Sequence, residues 1–249
     1  MPLKTNITLH ELVEVIITIL DARDPYTFEH SWRVGALSER IAECMDISQE
    51  WIDVIHIASH LHDIGKVGVA DHVLNKPGRL TDEEFEQIRS HPRIGFNIVS
   101  RLPALDEIAL YVLHHHERWD GKGYPHGLAG RDIPLGARII AVVDTFDAIT
   151  TDRSYRKGRS LETAFREIER AAGTQLCPEV CGMFLSLKKE IPGILAGAEE
   201  EIMQFSGSTR YRERLARVLS EGQSCNDRRN RLPDDTIPPR FKNHLPLSL

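Results

Sequence analysis

Two short stretches of the sequence carry most of the side chains that could do chemistry. One is His62-Asp63, followed by Lys66, and the other is the run HHHERWDGKGYP at residues 114–125. Successive helical side chains point about 100° apart, so adjacent histidines or a His-Asp pair cannot all face one ion. Such adjacent pairs suit a two-metal cluster, in which Asp63 would bridge both ions.

Other candidate ligands lie on separate predicted helices. Together they form a set of imidazoles and carboxylates: His30, His62, Asp63, His91, His115, His116 and Asp144. Helical bundles build metal sites from side chains that project inward from several helices. Nitrogen and oxygen donors without thiolates suit iron, manganese or zinc. A single helical histidine is more often an ordinary surface or core residue, and we interpret the remaining ones that way: His10, His56, His60, His72, His114, His126 and His244.

The elements that must position these residues have helical patterns from Leu9 to Leu187, and no alternating strand pattern occurs. Predicted helices cover roughly 29–45, 51–61, 81–92, 94–101, 106–116, 135–150, 160–172 and 178–189. Ser48 is the predicted cap of the second of these, and Thr81 with Glu84 forms a capping-box pattern.

The run from Leu135 to Thr150 is apolar on nearly all sides, which predicts a central, buried helix. Asp144 interrupts it. An unpaired buried carboxylate is expensive, and a metal would compensate its charge. The predicted fold is therefore an all-α bundle with a dinuclear metal site in its core.

The composition is that of one sizeable globular domain with a small appendage, in a chain of 249 residues. We predict a main domain at 1–192, a short helical appendage at 193–222 and a disordered tail at 223–249, where polar residues and proline dominate. The net charge of -6 argues against a non-specific DNA binder. The four scattered cysteines indicate reduced thiols.

No membrane association is expected from the sequence. The apolar run from Leu12 to Leu20 is too short to span a bilayer and contains Glu14. It is not flanked as a signal peptide would be. We therefore expect a cytoplasmic protein.

The motifs resemble those of the HD-GYP family, metal-dependent phosphodiesterases that hydrolyse the bacterial second messenger cyclic di-GMP. The resemblance covers roughly residues 9–190. Beyond the two stretches above, it rests on DPYT at 24–27, KPGRLT at 76–81, HP at 91–92, IPL at 133–135, DTFDA at 144–148 and DRSYR at 152–156.

The resemblance implies a role for each matching residue. All seven candidate ligands fall on metal-binding positions of the family. Lys66 matches a lysine that faces the scissile phosphate or its leaving oxygen. Gly123, Tyr124 and Pro125 match the substrate-side loop, and Arg153 and Arg156 match a basic pair that holds substrate phosphates.

The resemblance also implies the cofactors. Relatives that bind a third metal have a glutamate where this chain has Tyr26. We therefore expect two divalent transition metals, with iron or manganese favoured and zinc, nickel or cobalt allowed. Such a pair would activate a bridging water for in-line attack on the phosphodiester.

The implied product is pGpG, with GMP from a second cut in some members. Two alternatives stay open: an HD-superfamily hydrolase of another cyclic dinucleotide, and a non-catalytic module that binds cyclic di-GMP or partner proteins. Many relatives carry a sensor domain before this module. Regulation here is therefore expected from the tail, from a homodimer, or from a separate regulatory or diguanylate cyclase partner.

Overall fold

The structure, a computed structural model, describes residues 9–21, 27–152 and 157–206, which are mainly helical, with one long connection between His114 and Leu135. The α-helices are α1 (Leu9–Asp21), α2 (Thr27–Cys44), α3 (Gln49–Leu61), α4 (Asp71–Leu74), α5 (Asp82–Arg89), α6 (His91–Val99), α7 (Asp106–His114), α8 (Leu135–Thr150), α9 (Leu161–Ala171), α10 (Pro178–Ser186) and α11 (Ile191–Ser206). Within these ranges there is no β-strand, only two isolated bridges. The predicted all-α fold is confirmed.

Helix α8 lies at the centre of the bundle, as its sequence predicts. Ile139, Ile140, Val142 and Val143 are fully buried. Phe146 is fully buried too, and its ring packs against Phe165 and Phe184 of α9 and α10 at centroid distances of 5.7 and 4.9 Å. Full burial of each such side chain contributes about 1.5–3 kcal/mol relative to exposure. The helix that carries Asp144 is therefore held rigidly by its neighbours.

The starts of α5 and α3 test the two predicted caps. At α5 the capping box is present: the Glu84 N–H donates to Thr81 Oγ1 at 3.3 Å, and the Thr81 N–H donates to Glu84 Oε2 at 2.7 Å. Ser48 occupies the cap position of α3, but its side chain makes no capping hydrogen bond. That part of the prediction is wrong.

Two helix boundaries differ from prediction in ways that matter for the candidate ligands. Helix α6 begins at His91, not near residue 94, because Pro92 fits the first turn, where its missing N–H is not needed. Helix α7 ends at His114, not at residue 116. His91 therefore opens a helix, whereas His115 and His116 follow the end of one.

By its internal contacts the chain separates into two units, Met1–Glu200 and Glu201–Leu249. Of the second unit the structure describes only residues 201–206, the end of α11. Residues 207–249 lie outside the described part, so the predicted division at 192 and 222 and the predicted tail stay predictions. Among the described helices none is long and apolar enough to cross a membrane.

Candidate metal centre

Three helices bring together a first histidine group, which consists of His30, His62 and Asp144. His30 comes from α2, His62 follows the last residue of α3, and Asp144 comes from α8. The Nε2 atoms of His30 and His62 are 3.1 Å apart, and His30 Nε2 is 3.5 Å from Asp144 Oδ1. These distances suit atoms that surround one ion.

A second histidine group lies beside the first and consists of His91, His115 and His116. The Nε2 atoms of His91 and His115 are 3.2 Å apart, and the rings of His115 and His116 have centroids 4.1 Å apart. The prediction that adjacent histidines diverge is wrong for this pair. Helix α7 ends at His114, and the chain closes there with a tighter turn, in which the Glu117 N–H donates to the His114 carbonyl oxygen three residues earlier at 3.0 Å.

Asp63 lies between the two groups with one oxygen toward each. Its Oδ1 is 3.3 Å from His91 Nε2. Its Oδ2 is 3.4 Å from His62 Nε2, and Lys66 Nζ is 2.7 Å from the same oxygen. This is the placement of a bridging carboxylate, with a cation on its outer edge.

Backbone carbonyls orient three of the imidazoles in the same way. The Nδ1 atoms of His62, His91 and His115 each lie 2.7 Å from the carbonyl oxygen three residues earlier, at Ser59, Ile88 and Val112. An Nδ1–H that donates to a carbonyl fixes the tautomer and leaves the Nε2 lone pair for a ligand.

His30 is oriented by a carboxylate from another helix. Its Nδ1 donates to Asp147 Oδ2 at 2.7 Å, and Arg33 Nε donates to Asp147 Oδ1 at 2.6 Å. Neither Asp147 nor Arg33 has a predicted role from the sequence. The available signals were that Asp147 lies one turn after Asp144 and Arg33 three residues after His30.

The electrostatics of the second group favour neutral imidazoles. Burial lowers the pKa of His115 well below its usual range, and neighbouring histidines lower it further. Burial likewise lowers the pKa of His116 to about 3. Neutral rings keep the lone pair that a metal requires.

The carboxylate between the groups is ionised. Burial alone would raise the pKa of Asp63, but Lys66 and His62 outweigh it and hold this pKa well below its usual range. Burial alone would lower the pKa of His62. The carboxylates of Asp63 and Asp144 have the larger effect and raise that pKa. Two carboxylates amid mostly neutral imidazoles in a buried site form a donor set that fits divalent cations, since cations compensate buried negative charge.

Two glycines are required by close backbone approach around the site. A Cβ on Gly65 would lie 1.8 Å from the carbonyl oxygen of His91, so the turn after His62-Asp63 packs directly against the start of α6. A Cβ on Gly123 would lie 2.3 Å from the backbone nitrogen of Arg118. Larger residues at either position would push apart segments that carry candidate ligands.

The Gly-Tyr-Pro loop, residues 117–128, covers the second group. The Tyr124 ring lies against that of His116 at a centroid distance of 4.9 Å, and the Arg89 guanidinium sits over Tyr124 at 4.8 Å. Glu117 is buried, and its carboxylate accepts hydrogen bonds from the backbone N–H groups of His126 and Leu128. The roles of Glu117 and Arg89 in holding this loop were missed from sequence, although both charges are visible there.

The structure therefore brings all seven candidate ligands together, with Lys66 and the Gly-Tyr-Pro loop beside them. Tyr26, Arg153 and Arg156 lie outside the described residues, so their predicted roles stay predictions.

Comparison with known proteins places this arrangement in context. Residues 14–180 match the family described as HD domain. A cyclic di-GMP phosphodiesterase of Thermotoga maritima is 46% identical over 201 residues, which cover 80% of this chain and 55% of the relative. A 3'3'-cGAMP-specific phosphodiesterase of Vibrio cholerae is 37% identical over 183 residues, covering 72% of this chain and 39% of the relative.

Among solved structures, a cyclic GMP-AMP phosphodiesterase of V. cholerae superposes with a TM-score of 0.59 at 20% identity, covering 82% of this chain and 53% of that one. At that identity the likeness concerns the fold. This chain spans about half or less of the length of these curated relatives.

Proposed function

From the premise that the chain belongs to the HD-GYP branch of the HD domain family, we propose that it is a metal-dependent phosphodiesterase that hydrolyses cyclic di-GMP to pGpG. The single observation that carries this proposal is the position of Asp63, with one carboxylate oxygen toward each histidine group. A carboxylate in that position could bridge two ions, and two ions side by side suit the hydrolysis of a phosphodiester.

We assign the seven ligands by their positions. His30, His62 and Asp144 would hold one divalent metal, and His91, His115 and His116 the other, with Asp63 shared. Iron or manganese is favoured. When bound, the pair would supply Lewis-acid activation of the attacking water and of the phosphate.

The remaining residues would act on the substrate. Lys66 places its ammonium beside Asp63, where it can donate to a phosphate oxygen and neutralise charge that develops on the leaving oxygen. Tyr124 lies against His116 and beside Arg89, at the edge of the second group, where it would line the substrate site. Arg153 and Arg156 would grip phosphate oxygens, since guanidinium groups bind them two at a time.

A second candidate substrate is favoured by one observation. The V. cholerae relative named for 3'3'-cGAMP and two V. cholerae relatives named for cyclic di-GMP, one of them as probable, are each 37% identical to this chain. A base-discriminating contact in the loop would separate these substrates, because a site built to hydrogen-bond guanine rejects adenine.

One experiment tests the proposal against its alternatives. The protein is purified without oxygen and loaded with Fe²⁺ or Mn²⁺. It is then incubated in parallel with cyclic di-GMP and 3'3'-cGAMP, and the products are resolved by chromatography. We expect pGpG from cyclic di-GMP, and the chromatogram also shows whether a second cut to GMP follows. The Asp63→Ala variant serves as the inactive control.

The other outcomes each overturn a stated part of the proposal. Faster cleavage of 3'3'-cGAMP would reassign the substrate. Tight binding of cyclic di-GMP without cleavage by fully loaded protein would make the chain a binding module. If the fully loaded protein neither binds nor cleaves either substrate, the proposed function is overturned altogether.

A further inference from the structure

A third group of metal-ligating side chains lies at the two ends of the Gly-Tyr-Pro loop, outside the centre described above. It consists of His114, Glu117 and His126, whose ligand atoms all lie within 4.8 Å of one another. His114 Nε2 and His126 Nδ1 are 3.1 Å apart. The same separation, 3.1 and 3.2 Å, occurs between the paired imidazoles of the first and second groups.

The side chains of this third group are already oriented as ligands. His114 Nδ1 lies 2.9 Å from the carbonyl oxygen of Leu110, so its Nε2 lone pair is directed at His126. The Glu117 carboxylate accepts from the backbone N–H of His126 at 2.7 Å and of Leu128 at 3.1 Å. Each carboxylate oxygen has a further lone pair. The loop backbone thus fixes Glu117 and His126 relative to each other.

The third group is buried on the side of His114 and Glu117 and open to solvent on the side of His126. His114 and Glu117 are 7% and 4% exposed, whereas His126 is exposed. A cation could enter from solvent, and water could complete a tetrahedral set of two imidazoles, one carboxylate and one open position. This donor set is one that Zn²⁺ binds well.

We propose that His114, Glu117 and His126 bind a further divalent cation of the zinc class, which fastens the Gly-Tyr-Pro loop to the end of α7. The inference does not depend on the phosphodiesterase activity, since none of the three residues belongs to the first or second group. The ion would join His114, before the loop, to His126, directly after Pro125. It would thereby hold Tyr124 in place over His116.

The guanidinium of Arg93 would compete with this cation for His126. Its guanidinium contacts Nε2 of His126. With the ion absent, Arg93 can donate to His126, and the Nδ1–H of His126 can donate to His114, which satisfies both rings. With the ion present, the exposed Arg93 side chain must move aside, and its positive charge opposes binding. Removal of that charge should tighten binding about tenfold.

The test uses Zn²⁺ alone as the probe and an Asp63→Ala background, in which the two-metal centre is disabled. After equilibration with micromolar Zn²⁺ and removal of free ion, we expect about one zinc per chain by elemental analysis. Adding His126→Ala should remove it, whereas the matched control His72→Ala, an exposed histidine of α4, should retain it. Adding Arg93→Gln should lower the Zn²⁺ dissociation constant.

A second measurement covers the case in which the Asp63→Ala background does not fold. In the otherwise unaltered chain, His126→Ala should then lower the zinc content by about one per chain relative to His72→Ala. Equal zinc content in these two variants, in either background, would overturn the proposal and leave a hydrogen-bonded histidine pair.

Discussion

The first and second histidine groups lie side by side, yet they are built differently. The first combines two imidazoles with Asp144, and its His30 is oriented by the distant Asp147–Arg33 pair. The second contains three imidazoles, of which His91 and His115 are oriented by carbonyl groups three residues earlier. His62 of the first group has such a carbonyl partner too, at Ser59, so the difference lies in His30, whose orientation depends on the packing of α2 against α8.

The same difference appears in their charge. The first group carries the charge of Asp144 as well as one oxygen of Asp63, whereas the second relies on the other Asp63 oxygen alone. Imidazole-rich sites suit zinc, nickel or iron, and carboxylate oxygens suit manganese better. The two positions should accordingly differ in metal preference even though they share a ligand.

The largest effect should come from Asp63→Ala, because it removes the one ligand that the groups share. We expect both ions to be lost and turnover to fall by at least about 10³-fold, more than the loss of a single transition-state donor. Metal content and turnover are the measurements, and Asp53→Ala, on the exposed side of α3, is the matched control. With His126→Ala also present, so that the third group holds no ion, retention of one full equivalent of metal would show that Asp63 does not bridge.

The next largest effect should come from Lys66→Ala, which tests the catalytic step separately from metal binding. Lys66 contacts Asp63 but is not one of the seven ligands. Lys66→Ala should therefore keep both metals and lower kcat by about 10²–10³-fold, with a smaller change in KM. Elemental analysis alongside steady-state kinetics checks this. An unchanged kcat would remove Lys66 from the catalytic role while leaving the metal centre intact.

Replacing one ligand in each group sharpens the contrast between them. Asp144→Asn and His116→Gln should each cost about one equivalent of metal. In mixed Mn²⁺ and Zn²⁺, and with His126→Ala also present to empty the third group, the ion that remains in Asp144→Asn should be mainly zinc, because the intact second group is rich in imidazole. His116→Gln should retain relatively more manganese. Identical metal ratios in the two variants would contradict the difference in preference.

The bundle and its ligands could be predicted from sequence because periodicity and residue type carry that information locally. The apolar run of α8 specifies a buried helix, and a charged residue within it, Asp144, needs a partner. The grouping of ligands could not be predicted. It depends on α7 ending at His114, which places His115 and His116 in one group, and helix ends are weakly encoded.

The orienting residues were missed for a related reason. Asp147 and Glu117 are ordinary charged residues in the sequence, and their roles arise only when α2 meets α8 or when the loop folds back on itself. Histidines other than the seven-ligand set were interpreted as ordinary surface or core residues, so the approach of His126 to His114 was not expected. Contacts between residues far apart in the chain, or across a turn, leave no periodic signal.

The smallest effect should come from Asp147→Asn, which probes what the distant pair contributes to the first group. Asparagine keeps the shape but loses the charge that holds His30 Nδ1–H and pairs with Arg33. Loss of such an outer-shell partner typically weakens metal affinity by 10–100-fold.

We expect that loss for one equivalent of metal only, because no ligand of the second group contacts Asp147 among the hydrogen bonds of the described residues. The release of metal to a competing chelator should therefore change from one phase to two. The variant Arg33→Gln provides the comparison: it leaves the Asp147 carboxylate on His30, so its metal affinity should fall less. Equal weakening of both metals in Asp147→Asn would mean that the two groups form one cooperative unit, and that their different construction has no energetic consequence.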